Sequence, residues 1–208
     1  MAFRELTRQE QTLVNRALDR WGVFEALEGQ TFLMHDESGK VCLVSSELAN
    51  MVKIVQPDTA GLVVGSIGKK KKQFTPALAG ASLFARLCDR EKKKYYVRVG
   101  DNAEKLVLYG RDVMGDSVIE ASPELDENDL VIILNAGGEA IGIGRTRFSG
   151  KSILQKGRVT ITTLADAGSY LRDEDGSNDE EERQAKMTKT TAASSRRQPP
   201  KRAFTSYI

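Results

Sequence analysis

Between Leu6 and Trp21 the apolar residues Leu13, Val14, Ala17, Leu18 and Trp21 repeat with the period of a helix. Thr7 followed by Glu10 has capping-box spacing, so an opening helix is predicted, which Gly22 stops. Phe32-Leu33-Met34, the polar stretch HDESGK and Val41 to Val44 then read as a β-hairpin. Ser45 or Ser46 caps a second helix, Glu47 to Val55, which ends before Pro57. Leu62 to Ile67 reads as a short buried strand, followed by Gly68 and the lysines Lys69, Lys70, Lys71 and Lys72. Phe74 and Thr75 resume the apolar pattern, Pro76 suits the first turn of a helix, and Ala77 to Cys88 continue it. These elements make a compact α/β sandwich-like module over residues 1–93.

From Tyr95 the period changes to that of short strands: YYVRV, KLVLYG, SVIEA, DLVIIL, AIGIG and RVTITTL. Turn residues separate them at Gly100-Asp101-Asn102, Gly110, Gly115-Asp116, Pro123 and Gly137-Gly138, which predicts a small sandwich or barrel over 94–175. The most informative stretch runs from Asp129 to Phe148. Its apolar strand breaks at Asn135-Ala136-Gly137-Gly138 and returns through Ile141 to Gly144, a hairpin pattern. Gly142 and Gly144 alternate with isoleucines, implying a bulge, a tight barrel corner or close approach of another backbone. ADAGSYLRDE, Ala165 to Glu174, adds a final helical turn. A second domain this small is expected to lean on the first for stability. The fold class is therefore α+β, ending in a disordered tail over 176–208 that has too little apolar sequence to bury a core.

Charge changes this picture locally. The net formal charge is only +2, with 40% hydrophobic and 29% charged residues, ordinary values for a globular chain. Residues 173–182 (DEDGSNDEEE) contain only acids among their charged positions, and residues 183–208 only bases. No apolar run approaches the roughly 20 residues of a membrane span. The first residues lack the apolar core of a signal peptide, so a cytosolic or nuclear address is expected. Cys42 and Cys88 stand apart without CxxC spacing and fit reduced, buried thiols better than a disulfide or zinc site.

Catalytic patterns are thin. GRTRFSGKS (Gly144 to Ser152) is similar to a phosphate-binding loop but has five residues where that motif has four. Gly157 also cuts short the helix such a loop requires. GIGRTR has Arg147 where a dinucleotide fingerprint needs its third glycine. The single histidine, His35, is expected to be a solvated turn residue. Asp166 is a candidate acid, with helix capping as its competing role. No nucleophile–base pair, cofactor or metal set can be named, so a non-enzyme is expected.

What remains is basic. Arg145, Arg147, Lys151, Lys156 and Arg158 lie within one acid-free segment. They sit beside glycines that permit close approach and among Ser149, Ser152 and Phe148, which supply hydroxyl donors and a stacking face. Arginine's planar fork suits phosphate oxygens. The competing reading is a solvated surface. Lys69 to Lys72 form a second candidate, suited to phosphates rather than to base readout.

LYGRDV (Leu108 to Val113), the strand into GEAIGIG (Gly138 to Gly144) and ADAGSYLRDED (Ala165 to Asp175) together resemble a PUA domain, a small RNA-binding pseudo-barrel. FRELTRQEQ, FLMHDESGKVCLVSSEL and VGSIGKKKKQFTPAL resemble the α/β domain that precedes PUA in the Nip-seven family of large-ribosomal-subunit biogenesis factors. Arg111-Asp112 stands where that family usually continues with Asn-His. The resemblance implies a non-catalytic factor without cofactors that binds pre-ribosomal RNA during rRNA processing. It also implies docking to other assembly factors through the N-terminal domain, a nuclear or nucleolar address, and a monomer outside the particle. Carried over by position, the RNA surface falls on Arg145, Arg147, Lys151, Lys156 and Arg158, with Arg172 nearby and Lys69 to Lys72 as a second basic loop. The competing functions are a protein-interaction adaptor without RNA readout and a component of an RNA-modifying enzyme.

Overall fold

In the computed structural model, residues 2–68, 73–89, 93–170 and 172 are described. The predicted Lys69–Lys72 run and the tail from 173 onward lie outside them. The first half builds an antiparallel sheet in sequence order from β1 (Phe3–Glu5), β2 (Thr31–His35), β3 (Lys40–Val44), β4 (Leu62–Ile67) and β5 (Phe74–Pro76). Strand alternation decides which face each residue covers. Phe32, Met34, Val41 and Val64 face a core shared with α1 (Arg8–Arg20) and α3 (Leu78–Leu87), whereas Leu33, Cys42 and Val44 face α2 (Ser46–Val55). Both cysteines are buried and neither forms a disulfide, and burial pushes the Cys42 thiol above its ordinary pKa.

The opening helix has the predicted cap. Glu10 N–H donates to the Thr7 hydroxyl at 3.3 Å, and Thr7 N–H donates to the Glu10 carboxylate at 2.8 Å. Arg4, on β1, clamps the same carboxylate through two nitrogens at 2.8 and 2.9 Å. This holds the Glu10 carboxyl down to about 2. The strand carrying Arg4 is too short to show a period and was not anticipated from the pattern.

Three expectations are corrected. KLVLYG is not a strand: α4 spans Asp101–Leu108. Asp101 and Glu104 sit in its first turn, where the helix dipole favours acids, and Ala103 and Val107 bury one face at helical spacing. Gly110, at φ 70°, ends the helix by donating to the Val107 carbonyl. Pro76 does not open a helix but closes β5, opposite Gly65 at the sheet edge where a missing N–H costs no ladder bond. His35 is not a solvated turn residue. It ends β2, is buried, and lies edge-on to Phe3 with ring centroids 5.1 Å apart, its Nδ1 2.9 Å from the Ser38 hydroxyl.

The second half forms a six-stranded sheet in the order β7-β11-β10-β9-β6-β8. Its strands are β6 (Tyr96–Val99), β7 (Val113–Met114), β8 (Val118–Ala121), β9 (Leu130–Leu134), β10 (Ala140–Thr146) and β11 (Val159–Asp166). Only β6 and β9 pair in parallel; the other pairs are antiparallel. β9 is buried on both faces, which explains its unbroken apolar run. Val131 and Ile133 point into the barrel interior with Val97, Val99 and Ile161. Leu130, Ile132 and Leu134 point outward into the core that contains Trp21 and Phe84, so the barrel leans on α1 and α3.

Candidate nucleic-acid interface

The glycines of β10 position this region. The ladder shifts register between Ala140 and Gly142 against β9, and between Ile143 and Gly144 against β11. A Cβ at Gly144 would lie 2.5 Å from Ile161 Cγ2, and one at Gly142 would lie 2.9 Å from the Ala165 carbonyl oxygen. Bulge and close approach therefore coincide. Beyond the bulges β10 runs on through Arg145 and Thr146 into Arg147.

Thr146 points inward and is buried. Its hydroxyl donates to the Asp126 carbonyl at 2.5 Å and accepts Asp129 N–H at 2.9 Å. Arg145 and Arg147, on either side, share the opposite face of the strand. The half-buried Arg145 donates from Nη1 to the Asn128 carbonyl at 3.0 Å, so the 126–129 turn orients it. Arg147 is exposed and oriented twice, by Nε donating to the Thr162 hydroxyl at 2.7 Å and Nη2 meeting Asp112 Oδ2 at 3.0 Å. Asp112 is itself held by Thr163 N–H at 3.0 Å. Asp112, with the Thr162 hydroxyl, thus fixes Arg147.

The connection between β10 and β11 carries the other cations. Gly150–Leu154 is a short 3₁₀ turn rather than the long helix of a phosphate-binding loop. Ile153 plugs the turn into the barrel core, and Gly150 N–H bonds the Leu125 carbonyl at 2.7 Å. A Cβ at Gly115 would lie 2.1 Å from the Gln155 carbonyl oxygen, so the loop backbone rests directly on that glycine. Gly115 N–H also donates to the Arg158 carbonyl at 2.9 Å. This anchoring leaves Lys151, Lys156 and Arg158 exposed. Ser149 is exposed, while Ser152 and Phe148 are half-buried.

The strand and its connection therefore bring Arg145, Arg147, Lys151, Lys156 and Arg158 to one end of the barrel. Arg172 lies past Ser169, the limit of the compact unit that holds them, and Lys69 to Lys72 fall outside the described residues. Asp166 ends β11 and is buried, its carbonyl accepting the Ser169 hydroxyl at 2.7 Å. Among the described residues Arg145, Lys151, Lys156 and Arg158 make no ion pair, whereas Arg4, Arg20, Lys53, Lys94 and Arg98 each meet a carboxylate. No group of three or more His, Cys, Asp or Glu side chains is arranged to hold a metal among the described residues. Their helices include none long and apolar enough to cross a membrane.

Sequence reasoning missed Arg20. This residue of α1 pairs with Asp129, just before β9, and its guanidinium lies 4.1 Å from the centre of the Tyr95 ring. No local signal marks it, because its partners are distant in the chain.

The comparisons agree with this architecture. Residues 3–78 match the family model described as the NIP7/UPF0113 pre-PUA domain, and residues 95–175 match the UPF0113 PUA domain. A UPF0113 protein of Archaeoglobus fulgidus is 32% identical over 177 residues, covering 84% of this chain and 97% of the relative. One from Aeropyrum pernix is 32% identical over 114 residues, covering 55% and 57%. In fold the chain is similar to a hypothetical protein of Pyrococcus horikoshii, with TM-score 0.58 and 17% identity over 79% of this chain and 94% of that one. It is also similar to a PUA domain protein of Thermoplasma acidophilum, with TM-score 0.56 and 11% identity over 80% and 95%. Two domain matches in the expected order, with a relative aligned over nearly its whole length, show that the chain belongs to the NIP7/UPF0113 family.

Proposed function

We propose that this protein is a non-catalytic assembly factor of the large ribosomal subunit that binds pre-ribosomal RNA through the β10 strand and the β10–β11 connection. Its PUA domain and family membership support an RNA-binding, ribosome-related role. The single observation that carries the site assignment is the set of cations there, Arg145, Lys151, Lys156 and Arg158, without carboxylate partners among the described residues. Unpaired cations on rigidly anchored backbone attract phosphate without first breaking an internal ion pair. Arg147 acts differently. Phosphate competes with Asp112 for it, and its fixed fork favours a bidentate contact. Lys69 to Lys72 and Arg172 are further phosphate-binding candidates in this reading, and a nuclear or nucleolar address follows from the role.

The N-terminal domain docks protein assembly factors in this reading. Leu48, Met51, Ile54 and Val55 project from α2 into solvent, with Ile54 82% exposed. Helical spacing places them on one unpartnered stripe, whereas Ala49 and Val52 cover the sheet.

Fluorescence anisotropy of the full chain with a single-stranded RNA at several salt concentrations tests the RNA reading. Each phosphate contact contributes about −0.7 to the salt slope. The Arg145/Lys151/Arg158→Ala triple variant is expected to bring the slope about two units closer to zero. An unchanged slope in the triple variant would move function to protein docking.

A further inference from the structure

Tyr109, at the C-terminal end of α4, is the most exposed aromatic among the described residues, at 73%. A single exposed ring is ordinary; its support and its neighbours set this one apart. Gly110 N–H donates to the Val107 carbonyl at 2.8 Å, and Arg111 N–H donates to the Leu106 carbonyl at 2.9 Å. That double closure, with Gly110 at φ 70°, is a Schellman motif and fixes the backbone on both sides of the tyrosine. The helix is itself seated on β10, where a Cβ at Gly142 would lie 3.2 Å from Val107 Cγ1. Leu106, 48% exposed, lies one turn earlier on the same face as Tyr109.

We infer that Tyr109 stacks on one base of the bound RNA, an inference that rests on the RNA-binding reading above. Charge selects the occupant. Lys105 and Arg111 flank the ring in the chain, both exposed and without an ion pair among the described residues. The neighbouring acids are engaged elsewhere, Asp112 by Arg147 and Thr163 N–H, and Glu104 by the Asn135 amide. An aromatic face between such cations fits a nucleotide, with the base on the ring and phosphates on the ammonium and guanidinium. The carbonyl end of α4 is the negative pole of its dipole, which disfavours a phosphate directly at Tyr109 and leaves that place to an uncharged base.

Continuity with the proposed RNA surface supports the choice. Arg145 is the register partner of Thr162 on β11, and Arg147 donates to that threonine's hydroxyl and to Asp112. This row crosses β10 and β11 and arrives at Asp112, three residues beyond Tyr109 and so within about 11 Å of it, Cα to Cα. Thr163 Oγ1 donates to the Arg111 carbonyl at 2.8 Å, which fastens the end of α4 to the same strand. A path of RNA along Arg145 and Arg147 therefore leads to Tyr109.

Anisotropy of the full chain with octaadenosine and with a base-free ribose-phosphate octamer tests the assignment. Tyr109→Ala is expected to weaken octaadenosine about five- to twentyfold with the salt slope unchanged, and to bind the base-free octamer as wild type does. Tyr109→Phe keeps the stacking face and is expected to stay within about twofold of wild type. Trp21, the one tryptophan, is 2% exposed, so the indole added in Tyr109→Trp is the one that faces solvent. Its emission is expected to be quenched by octaadenosine and not by the base-free octamer. Equal octaadenosine affinities for wild type and Tyr109→Ala overturn the stacking assignment alone and return the Leu106–Tyr109 face to protein docking. An equal loss on the base-free octamer overturns it too, since a base contact cannot act where there is no base. Absence of wild-type binding to either octamer overturns both this inference and the RNA reading beneath it.

Discussion

Gly115→Ala is the substitution that couples fold to function most directly. A Cβ there would sit 2.1 Å from the Gln155 carbonyl oxygen and 2.9 Å from both the Gln155 carbonyl carbon and the Ile153 carbonyl oxygen. All three are backbone atoms, so no side-chain rotation relieves the clash, and the whole β10–β11 connection must shift. Overpacking a tight site costs about 1–3 kcal/mol, and the rigid neighbour places this case at the upper end. Displacing the connection also strains the Gly115 N–H bond to the Arg158 carbonyl, which contributes about 1 kcal/mol more. The expected total is about 3–4 kcal/mol. At about 2–4 °C per kcal/mol for a chain of this size, melting should fall by about 6–16 °C. Scanning calorimetry of the full chain measures this, with Gly100→Ala as the control. A Cβ at Gly100 meets nothing closer than 3.8 Å, and the change should cost under about 1 kcal/mol. RNA affinity should fall in Gly115→Ala even well below its melting point, because Lys151, Lys156 and Arg158 move with the displaced backbone. Equal melting temperatures for the two variants would refute the reasoning.

Asp112→Asn removes the charge that competes with phosphate for Arg147. At about 1 kcal/mol for one unit charge near 4 Å in water, RNA binding should tighten three- to fivefold at low salt, an effect that anisotropy should see vanish at high salt. Glu10, held down to about 2 by Arg4 and Thr7, stabilises the folded state above its unfolded value near 4.5. That contribution is lost as pH falls through about 4.5 to 2, so wild type should lose thermal stability over this window more steeply than Glu10→Gln. Ile54→Glu changes an 82% exposed residue and should leave melting within about 2 °C while lowering binding of an apolar dye at α2. Phe84→Ala empties the fully buried ring stacked 5.9 Å from Trp21 and should cost about 3–5 kcal/mol in denaturant titration.

Much of the architecture is local and therefore readable from the chain itself. The Thr7–Glu10 cap, the β2–β3 hairpin, β4 at Leu62–Ile67 and the Asn135–Gly138 turn rest on residues a few positions apart. Their side-chain spacing alone selects the backbone conformation. The acid-free run from Arg145 to Arg158 is equally plain, and the order of motifs indicated the family. KLVLYG misled because an apolar run of that length fits a strand or a helix, and only the burial of Ala103 and Val107 against the barrel decides between them. His35 needed Phe3 across the β1–β2 ladder to be buried, and no short-range pattern announces a three-residue edge strand.

The tertiary structure alone decided how the basic residues are used. Arg147 meets Asp112 across 35 positions and Arg20 meets Asp129 across 109, so neither pairing has a sequence period. Arg20 and Trp21 line a common crevice only because Leu130 and Phe74 arrive from two different sheets to wall it. Local conformation follows from neighbours along the chain, whereas the freedom of a charge or a donor depends on which distant carboxylate or wall the fold brings beside it.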